Sequence, residues 1–415
     1  MKLKSVSTTA TNSGIKTFEA PRLLIYSHDT FGLGHFRRCL KIAKAFKATY
    51  PESSILLVTG QPQAERYRMP EGIDFIKLPA VVKVGDNRYQ PRSLGNSFAQ
   101  IFELRRNLIL EVARTFRPHI FLVDHAPIGM KGEIKKTLYE LKGQANRPVL
   151  LLGLRDILDE PEKVCAAWES EGIYPILDEV YDRIFIYGAP EFFDPTSAYR
   201  FGQKARSKTS FTGFISDHSR AAGPTQEADR KTKRVLLTIG GGEDGAEIVS
   251  AYLEVLSNYK NRLAVETIII FGPFMPDGQK EGFVEKAKGL PVRFEEFLPE
   301  LAEHLQEADL VISMGGYNTV IEILSFAKKA LIIPRIYPRK EQLLRAQRLS
   351  EMGLVRYISP EDLTPERLFE TVASMLANAD SPLAETRQKK LLPLDGATKL
   401  AELCQPLLVS QGVLK

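Results

Sequence analysis

Two doubly wound α/β domains facing each other across a cleft are the fold that this sequence predicts, on three observations. Short runs of nearly continuous Val, Ile and Leu alternate with helix-length amphipathic segments. One long polar stretch divides the runs into two series, and several runs end directly in glycine-rich turns. Runs without in/out alternation mark strands buried on both faces, which is the condition of a parallel sheet covered by helices. Alternation with helices makes each series a Rossmann-like domain, with ligands expected beyond the carboxyl ends of its strands.

Residues 1–20 are polar, rich in Ser and Thr, and lack the apolar segment of a signal peptide, so they read as a disordered tail. The amino-terminal domain follows over 21–215, with strands expected at "RLLIYS" (22–27), "SILLVTG" (54–60), "DFIKLPA" (74–80), "IFLVDH" (120–125), "PVLLLGLR" (148–155) and "RIFIYG" (183–188). The stretch "SDHSRAAGPTQEADRKTK" (216–233) has no apolar periodicity and is the expected linker. The carboxyl-terminal domain takes 234–415, with strands at "RVLLTIG" (234–240), "ETIIIFG" (266–272), "VRFEEFL" (292–298), "LVISMGG" (310–316) and "ALIIPR" (330–335).

Composition narrows the partners. A length of 415 residues supports two ordinary cores, and a net charge of +5 over that length is mild. No dense Lys/Arg cluster interleaved with aromatics is present, which argues against a nucleic-acid partner and for an anionic small molecule or peripheral membrane contact at most. Cys39, Cys165 and Cys404 are distant and odd in number, as in a reducing, cytoplasmic compartment without a disulfide framework. Neither CxxC nor HxxxH spacing occurs, so no metal site is expected, and no apolar run reaches membrane-spanning length.

In "LLTIGGGEDGAEIVSAYLEVL" a strand runs into Gly240, Gly241 and Gly242, and a helix starts at about Ala246. Adjacent glycines let backbone N–H groups approach an anion, and the helix N-terminus favours one. The same glycines equally suit a tight strand–helix turn. In "ADLVISMGGYNTVIEILSF" the strand ends in Gly315-Gly316, and a helix begins near Asn318 or Thr319, either of which caps it. Glu322 shares their face, while Val320, Ile323 and Leu324 cover the buried side. A carboxylate so placed accepts hydrogen bonds from a ribose diol, or closes a Thr319-x-x-Glu322 capping box; spacing does not separate the two. Further on, "PRIYPRKEQLLRAQRL" supplies Glu341 and Gln342, with Arg345 and Arg348 expected on a solvated helix face.

The first half offers "YSHDTFGLGHFRRCLKIAKAF" (26–46), a strand-to-helix turn bearing Gly32, Gly34, His35 and Arg38. Phe36, Leu40, Ala43 and Phe46 would face the core, which directs His35 toward the cleft. A helix N-terminus disfavours imidazolium, so the ring stays neutral and able to take a proton near pH 7. His28 is a weaker candidate for the same role. At other strand ends, Asp124-His125 and Arg155-Asp156 line the acceptor side of the cleft or serve as caps and ion pairs. The "YGAPEFFDP" loop (187–195) is a further strand-end candidate, and Lys41, Lys44 and Lys47 read as a solvated helix face.

The 308–354 stretch resembles the carboxyl-terminal domain of glycosyltransferase family 28, which includes the peptidoglycan N-acetylglucosaminyltransferase that makes lipid II. Thr319, Glu322, Pro334, Gln342 and Arg345-Ala346 stand in that family's order, and "GGGEDGA" (240–246) matches its "GGSQGA" loop. Arg345 stands where the family usually has Asn, and Glu341 where a His often precedes Gln342. The amino-terminal turn resembles the family's own. It is closer still to the G-x-G-H-x-x-R turn of a sugar-nucleotide hydrolase of the pseudaminic acid pathway, matched by Gly32, Gly34, His35 and Arg38. The resemblance implies a GT-B fold with a nucleotide-sugar donor, UDP-linked, on the carboxyl-terminal domain. Glu322 would bind the ribose hydroxyls, Gln342 would lie near the donor sugar, and the 240–246 loop would touch the diphosphate. The implied reaction moves a hexosyl group to an acceptor hydroxyl, lipid-linked or on a glycan, with His35 as base and no metal or other cofactor. A nucleotide-sugar hydrolase or epimerase on the same scaffold, and a non-catalytic sugar-nucleotide binder, remain alternative readings.

Overall fold

The computed structural model describes residues 19–28, 33–85, 88–217, 231–298, 301–378 and 392–414. Residues 1–18 of the expected tail, Gly32, and residues 218–230 of the expected linker lie outside the described residues.

Every apolar run singled out above is a strand. In the first half these are β1 (Arg22–Ser27), β2 (Ser54–Thr59) and β3 (Ile73–Lys77), then a hairpin of β4 (Val81–Gly85) and β5 (Arg88–Pro91). β6 (Ile120–Asp124), β7 (Val149–Arg155), β8 (Arg183–Tyr187) and β9 (Thr209–Phe211) follow. Hairpin aside, they form a seven-stranded sheet in the order β3-β2-β1-β6-β7-β8-β9, parallel throughout. In the second half β10 (Lys233–Thr238), β11 (Val265–Ile270), β12 (Val292–Glu295), β13 (Leu310–Ser313), β14 (Ala330–Ile332) and β15 (Arg356–Tyr357) form a six-stranded parallel sheet, ordered β12-β11-β10-β13-β14-β15. Central strands such as β6 are buried from end to end, which is why they carry no polar alternation. The helix Gly34–Thr49 buries Phe36, Leu40, Ala43 and Phe46, as their spacing predicts.

This topology positions the site. In the first sheet the chain adds strands on one side of β1 and then resumes on its other side with β6. The second sheet does the same around β10 and β13. Such switch points open a crevice beyond the strands' carboxyl ends. The segments that follow β1, β6, β10 and β13 therefore meet in one cleft.

One boundary differs from the sequence reading. The last helix, Gly396–Ser410, packs on the amino-terminal body and not with the rest of 234–415. Its Leu400, Cys404 and Leu408 are buried in the same cluster as Phe46. The Tyr50 hydroxyl donates to the Ala401 carbonyl at 2.9 Å, and Gln411 Nε2 donates to the Arg147 carbonyl at 3.0 Å. The apolar stripe of this helix is buried against the helix Gly34–Thr49.

Candidate active site

The amino-terminal wall is built on the start of the helix Gly34–Thr49 and the end of β6. His35 occupies the first turn of the helix Gly34–Thr49, and its Nδ1 lies 2.7 Å from Oδ2 of Asp124, the last residue of β6. Arg38, one turn on, grips both Asp124 oxygens, with Nε at 2.9 Å from Oδ1 and a terminal nitrogen at 2.6 Å from Oδ2. That nitrogen also lies 2.9 Å from His35 Nδ1. An ionised carboxylate at 2.7 Å from a ring nitrogen requires a proton between them. Nδ1 therefore carries the proton, and Nε2 is left as a free lone pair. Burial opposes the ionised form of Asp124, but Arg38 and His35 outweigh it and hold the carboxyl at about 2. Burial also lowers His35 to about 4; Asp124 opposes this, while Arg38 and Arg155 add to it. The ring is neutral, as expected, though desolvation rather than the helix end is the main reason.

Two more imidazoles adjoin it. The ring centroids of His28 and His125 lie 5.6 and 4.8 Å from that of His35. His125 has φ of 69°, a left-handed conformation unusual outside glycine, and its N–H is tied to the Gly153 carbonyl at 2.7 Å. Burial is the leading cause that lowers both of these histidines below their ordinary range.

The carboxyl-terminal wall faces these groups. Gly240 and Gly242 have φ of 71° and 92°, and a Cβ on Gly242 would stand 2.4 Å from the Phe271 carbonyl oxygen. Only glycine fits this turn, which leads through Gly245 into the helix Ala246–Asn258. The helix Tyr317–Ser325 starts one residue earlier than expected: Gly316 is its N-cap, and no side chain caps it. Asn318 and Thr319 thus lie inside the first turn, and Asn318 Nδ2 donates to the Gly34 carbonyl at 2.6 Å, across the cleft. The capping-box reading of Thr319 and Glu322 is excluded by this geometry. Gln342 Oε1 accepts from the Arg335 backbone N–H at 3.1 Å. The Arg335 guanidinium spans Asp244 at 2.9 Å and Glu341 at 3.0 Å. His28, His35, Arg38, Gly34, Arg155, Gly240, Gly241, Gly242, Gly316, Asn318, Thr319 and Gln342 all line one cavity of about 250 Å³ between the domains.

Other residues singled out in the sequence sit elsewhere. The Glu322 carboxylate is bound by Arg37 at 2.6 and 2.7 Å and by Lys41 at 2.7 Å, beside a smaller adjoining cavity of about 70 Å³. Burial would raise its pKa, but the two cations hold it at about 2. Lys41 is accordingly not on a solvated face. Asp156 is fully buried, with both oxygens held by Arg345 at 2.7 and 3.0 Å, so it is an interdomain ion pair and not an acceptor contact. Arg345 is likewise buried and not solvated, and Arg348 donates to the Phe192 and Glu191 carbonyls of the 187–195 loop. Gly315, with φ of 82° and no room for a Cβ beside Ile332, shapes the turn and does not line the cavity. Sequence reasoning missed Arg37, which is placed by its pair with Glu322 of the other domain, as well as Arg335 and Arg339, which line the cavity from the carboxyl-terminal side. Among the described residues, no cluster of three or more His, Cys, Asp or Glu side chains could hold a metal ion, and no helix is long and apolar enough to cross a membrane.

Comparison with known proteins fits this geometry. Residues 235–402 match the glycosyltransferase family 28 C-terminal domain. A UDP-N-acetylglucosamine–N-acetylmuramyl-(pentapeptide) pyrophosphoryl-undecaprenol N-acetylglucosamine transferase of Bacillus cytotoxicus is 27% identical over 179 residues, 43% of this chain and about half (49%) of that protein. The same-named protein of Desulfitobacterium hafniense is 25% identical over 365 residues, covering 83% of this chain and 88% of the relative. Among solved structures, the glycotransferase of kitacinnamycin superposes with a TM-score of 0.60 at 15% identity, over 94% of this chain and all of that one. Acinetobacter baumannii MurG superposes at 0.57 and 15% identity, over 93% and 99%. Residues 235–402 thus match the glycosyltransferase family 28 C-terminal domain, in a chain that has the GT-B fold and resembles that family over most of its length.

Proposed function

We propose that the protein is a glycosyltransferase that moves a hexosyl group from a UDP-sugar to an acceptor hydroxyl, with His35 as general base. The observation that carries this is the His35–Asp124 pair facing the 240–242 glycine turn across one cavity. The acceptor hydroxyl attacks the anomeric carbon as His35 Nε2 takes its proton, while Asp124 steadies the ring and the imidazolium that forms. The bond from that carbon to the diphosphate oxygen breaks, and its electron pair leaves with UDP. Backbone N–H groups at 240–242, the start of the helix Tyr317–Ser325 and Arg335 stabilise the departing charge. No step in this scheme uses a metal. A single displacement inverts the anomeric centre. Gln342 lies near the donor sugar, and Glu322 takes the ribose diol once Arg37 and Lys41 yield it. The relatives' printed names specify transfer from UDP-N-acetylglucosamine to a pyrophosphoryl-undecaprenol carrier, which favours a lipid-linked acceptor here.

The G-x-G-H turn, of which His35 is the basic residue, supports a second reading, in which the same lone pair activates water and the enzyme hydrolyses the nucleotide sugar. A panel of UDP-sugars followed by mass spectrometry, with and without lipid extract, separates them. Sugar transferred to a lipid or glycan product is expected. Rapid, stoichiometric release of free sugar that added acceptors do not diminish would refute transfer. His35→Ala should lower turnover by about 10²–10⁴ while leaving UDP affinity intact; unchanged turnover would mark a binder or a different base.

A further inference from the structure

Two donors share one oxygen beside the base. Asp124 Oδ2 accepts from an Arg38 terminal nitrogen at 2.6 Å and from His35 Nδ1 at 2.7 Å, and those two nitrogens stand only 2.9 Å apart. A guanidinium has no lone pair, so the one hydrogen bond these nitrogens can make with each other runs from Arg38 to an unprotonated Nδ1. A guanidinium that swings off Oδ2 toward the ring therefore favours the other tautomer, with the proton on Nε2 and no lone pair left for a substrate hydroxyl. Where Arg38 is held decides which nitrogen of His35 is the base.

Asp124 grips the edge of that guanidinium, and two aromatic rings hold the rest of it. The guanidinium carbon of Arg38, a residue only 1% exposed, lies 5.5 Å from the ring centroids of both Tyr187 and Tyr317. Tyr187 ends β8 in the same domain. Tyr317 instead opens the helix Tyr317–Ser325 of the other domain, and its side chain crosses the interface. Its hydroxyl donates to the Tyr187 carbonyl at 3.1 Å and accepts from the Ile215 N–H at 3.0 Å. The ring also takes the Arg345 guanidinium at 5.7 Å, but that cation is already matched by Asp156. The next residue, Asn318, donates to the carbonyl of Gly34, immediately before His35. Consecutive residues of the helix on the donor side thus fix both the backbone ahead of the base and the cation behind it. The ring brings no charge of its own; it attracts a cation to its face, and more strongly where water is excluded. We propose that Tyr317 is a positioning residue, whose ring holds Arg38 on Asp124 and thereby keeps the His35 proton on Nδ1 and the Nε2 lone pair free. This rests on reading His35 as the base. It also makes the base a property of both domains, since moving the donor domain away withdraws Tyr317 and Asn318 together and confines general-base action to the docked state.

¹⁵N NMR of the histidine rings in the full-length, ligand-free protein tests this, with His35→Ala identifying the His35 resonances. The native ring should carry its proton on Nδ1. Tyr317→Met keeps bulk but removes the aromatic face, and should move the His35 shifts toward the Nε2–H form. Its turnover, read as UDP release from the UDP-sugar that the panel selects, should fall by about tenfold or more while UDP affinity changes by less than about threefold. Tyr317→Phe removes only the hydroxyl; it should unfold at lower urea yet leave the proton on Nδ1. If Y317M fails to fold, pentafluorophenylalanine at position 317 keeps the ring's shape and abolishes its attraction for a cation. Compared with Y317F, it should shift the tautomer in the direction expected of Y317M. The proposal is overturned if Y317M or the fluorinated ring leaves the His35 shifts at their native values, or if Y317F moves them as far as Y317M does. Undiminished turnover in His35→Ala would strike the base reading instead; the tautomer is read without substrate, so it still decides whether Tyr317 governs His35.

Discussion

Asp124→Asn separates the two functions of that carboxylate. In the native protein its oxygens accept from Arg38 Nε at 2.9 Å, from an Arg38 terminal nitrogen at 2.6 Å and from His35 Nδ1 at 2.7 Å. An amide retains one oxygen and brings an NH₂ that repels either the guanidinium or the ring proton. Arg38 is 1% exposed, so it is left as a buried charge without its counter-ion, at about 3–5 kcal/mol. That is a large part of the ~5–15 kcal/mol that holds a domain together. The oxygen should turn to Arg38, which leaves the NH₂ donating to Nδ1. His35 must then carry its proton on Nε2 and can no longer accept one there. Turnover should fall by about 10²–10⁴, or roughly 2.7–5.4 kcal/mol in barrier, while UDP affinity holds because the other domain makes those contacts. Denaturant unfolding reads the first effect, and ¹⁵N shifts of the His35 ring read the second. A variant within 1 kcal/mol of native stability whose His35 still carries its proton on Nδ1 would refute the assignment.

The same pair sets the acid limb. Unfolded, His35 binds a proton below about 6.5 and Asp124 below about 3.8; folded, they do so only near 4 and 2. The unfolded chain thus holds more protons across both windows, so stability should fall as pH drops from 6.5 to 4 and again toward 2. His35→Ala should flatten the urea midpoint's slope in the upper window, and an unchanged slope would contradict the depressed pKa. Turnover should hold from neutral pH down to about 5 and fall as His35 protonates near 4. Asp156→Asn should orphan Arg345 across the domain interface, at about 3–5 kcal/mol. A larger radius of gyration by X-ray scattering is then expected, and an unchanged radius would show that the pair does not hold the two domains together. Gly242→Ala forces a Cβ to within 2.4 Å of the Phe271 carbonyl at φ of 92°. It should weaken UDP at least tenfold and leave unfolding of the amino-terminal domain untouched; native affinity would remove the turn from the donor site.

What the residues reveal on their own stops at the strand ends. The central strands are evident as Val/Ile/Leu runs because both faces are covered, whereas β9 and β15, three and two residues long, exist only through pairing with a neighbour. His35 stands out by its glycines and Asp124 by ending a strand. Their pairing across 89 positions, however, follows from β1 and β6 being adjacent in the sheet, an ordering with no local signature. Arg345 looks like a solvated arginine because its partner lies 189 residues earlier, in the other domain. Glu322 shows how far this matters for function. Its resemblance to the family motif implies a carboxylate for a ribose diol, yet its oxygens accept from Arg37 and Lys41 of the amino-terminal domain, from 285 and 281 residues away. In the proposed reaction the nucleotide must take this carboxylate from those two cations, and so must loosen an interdomain contact as it binds. In that proposed reaction, donor binding and release of this interdomain contact are one event at Glu322, and the cations released there are left to meet the incoming phosphates.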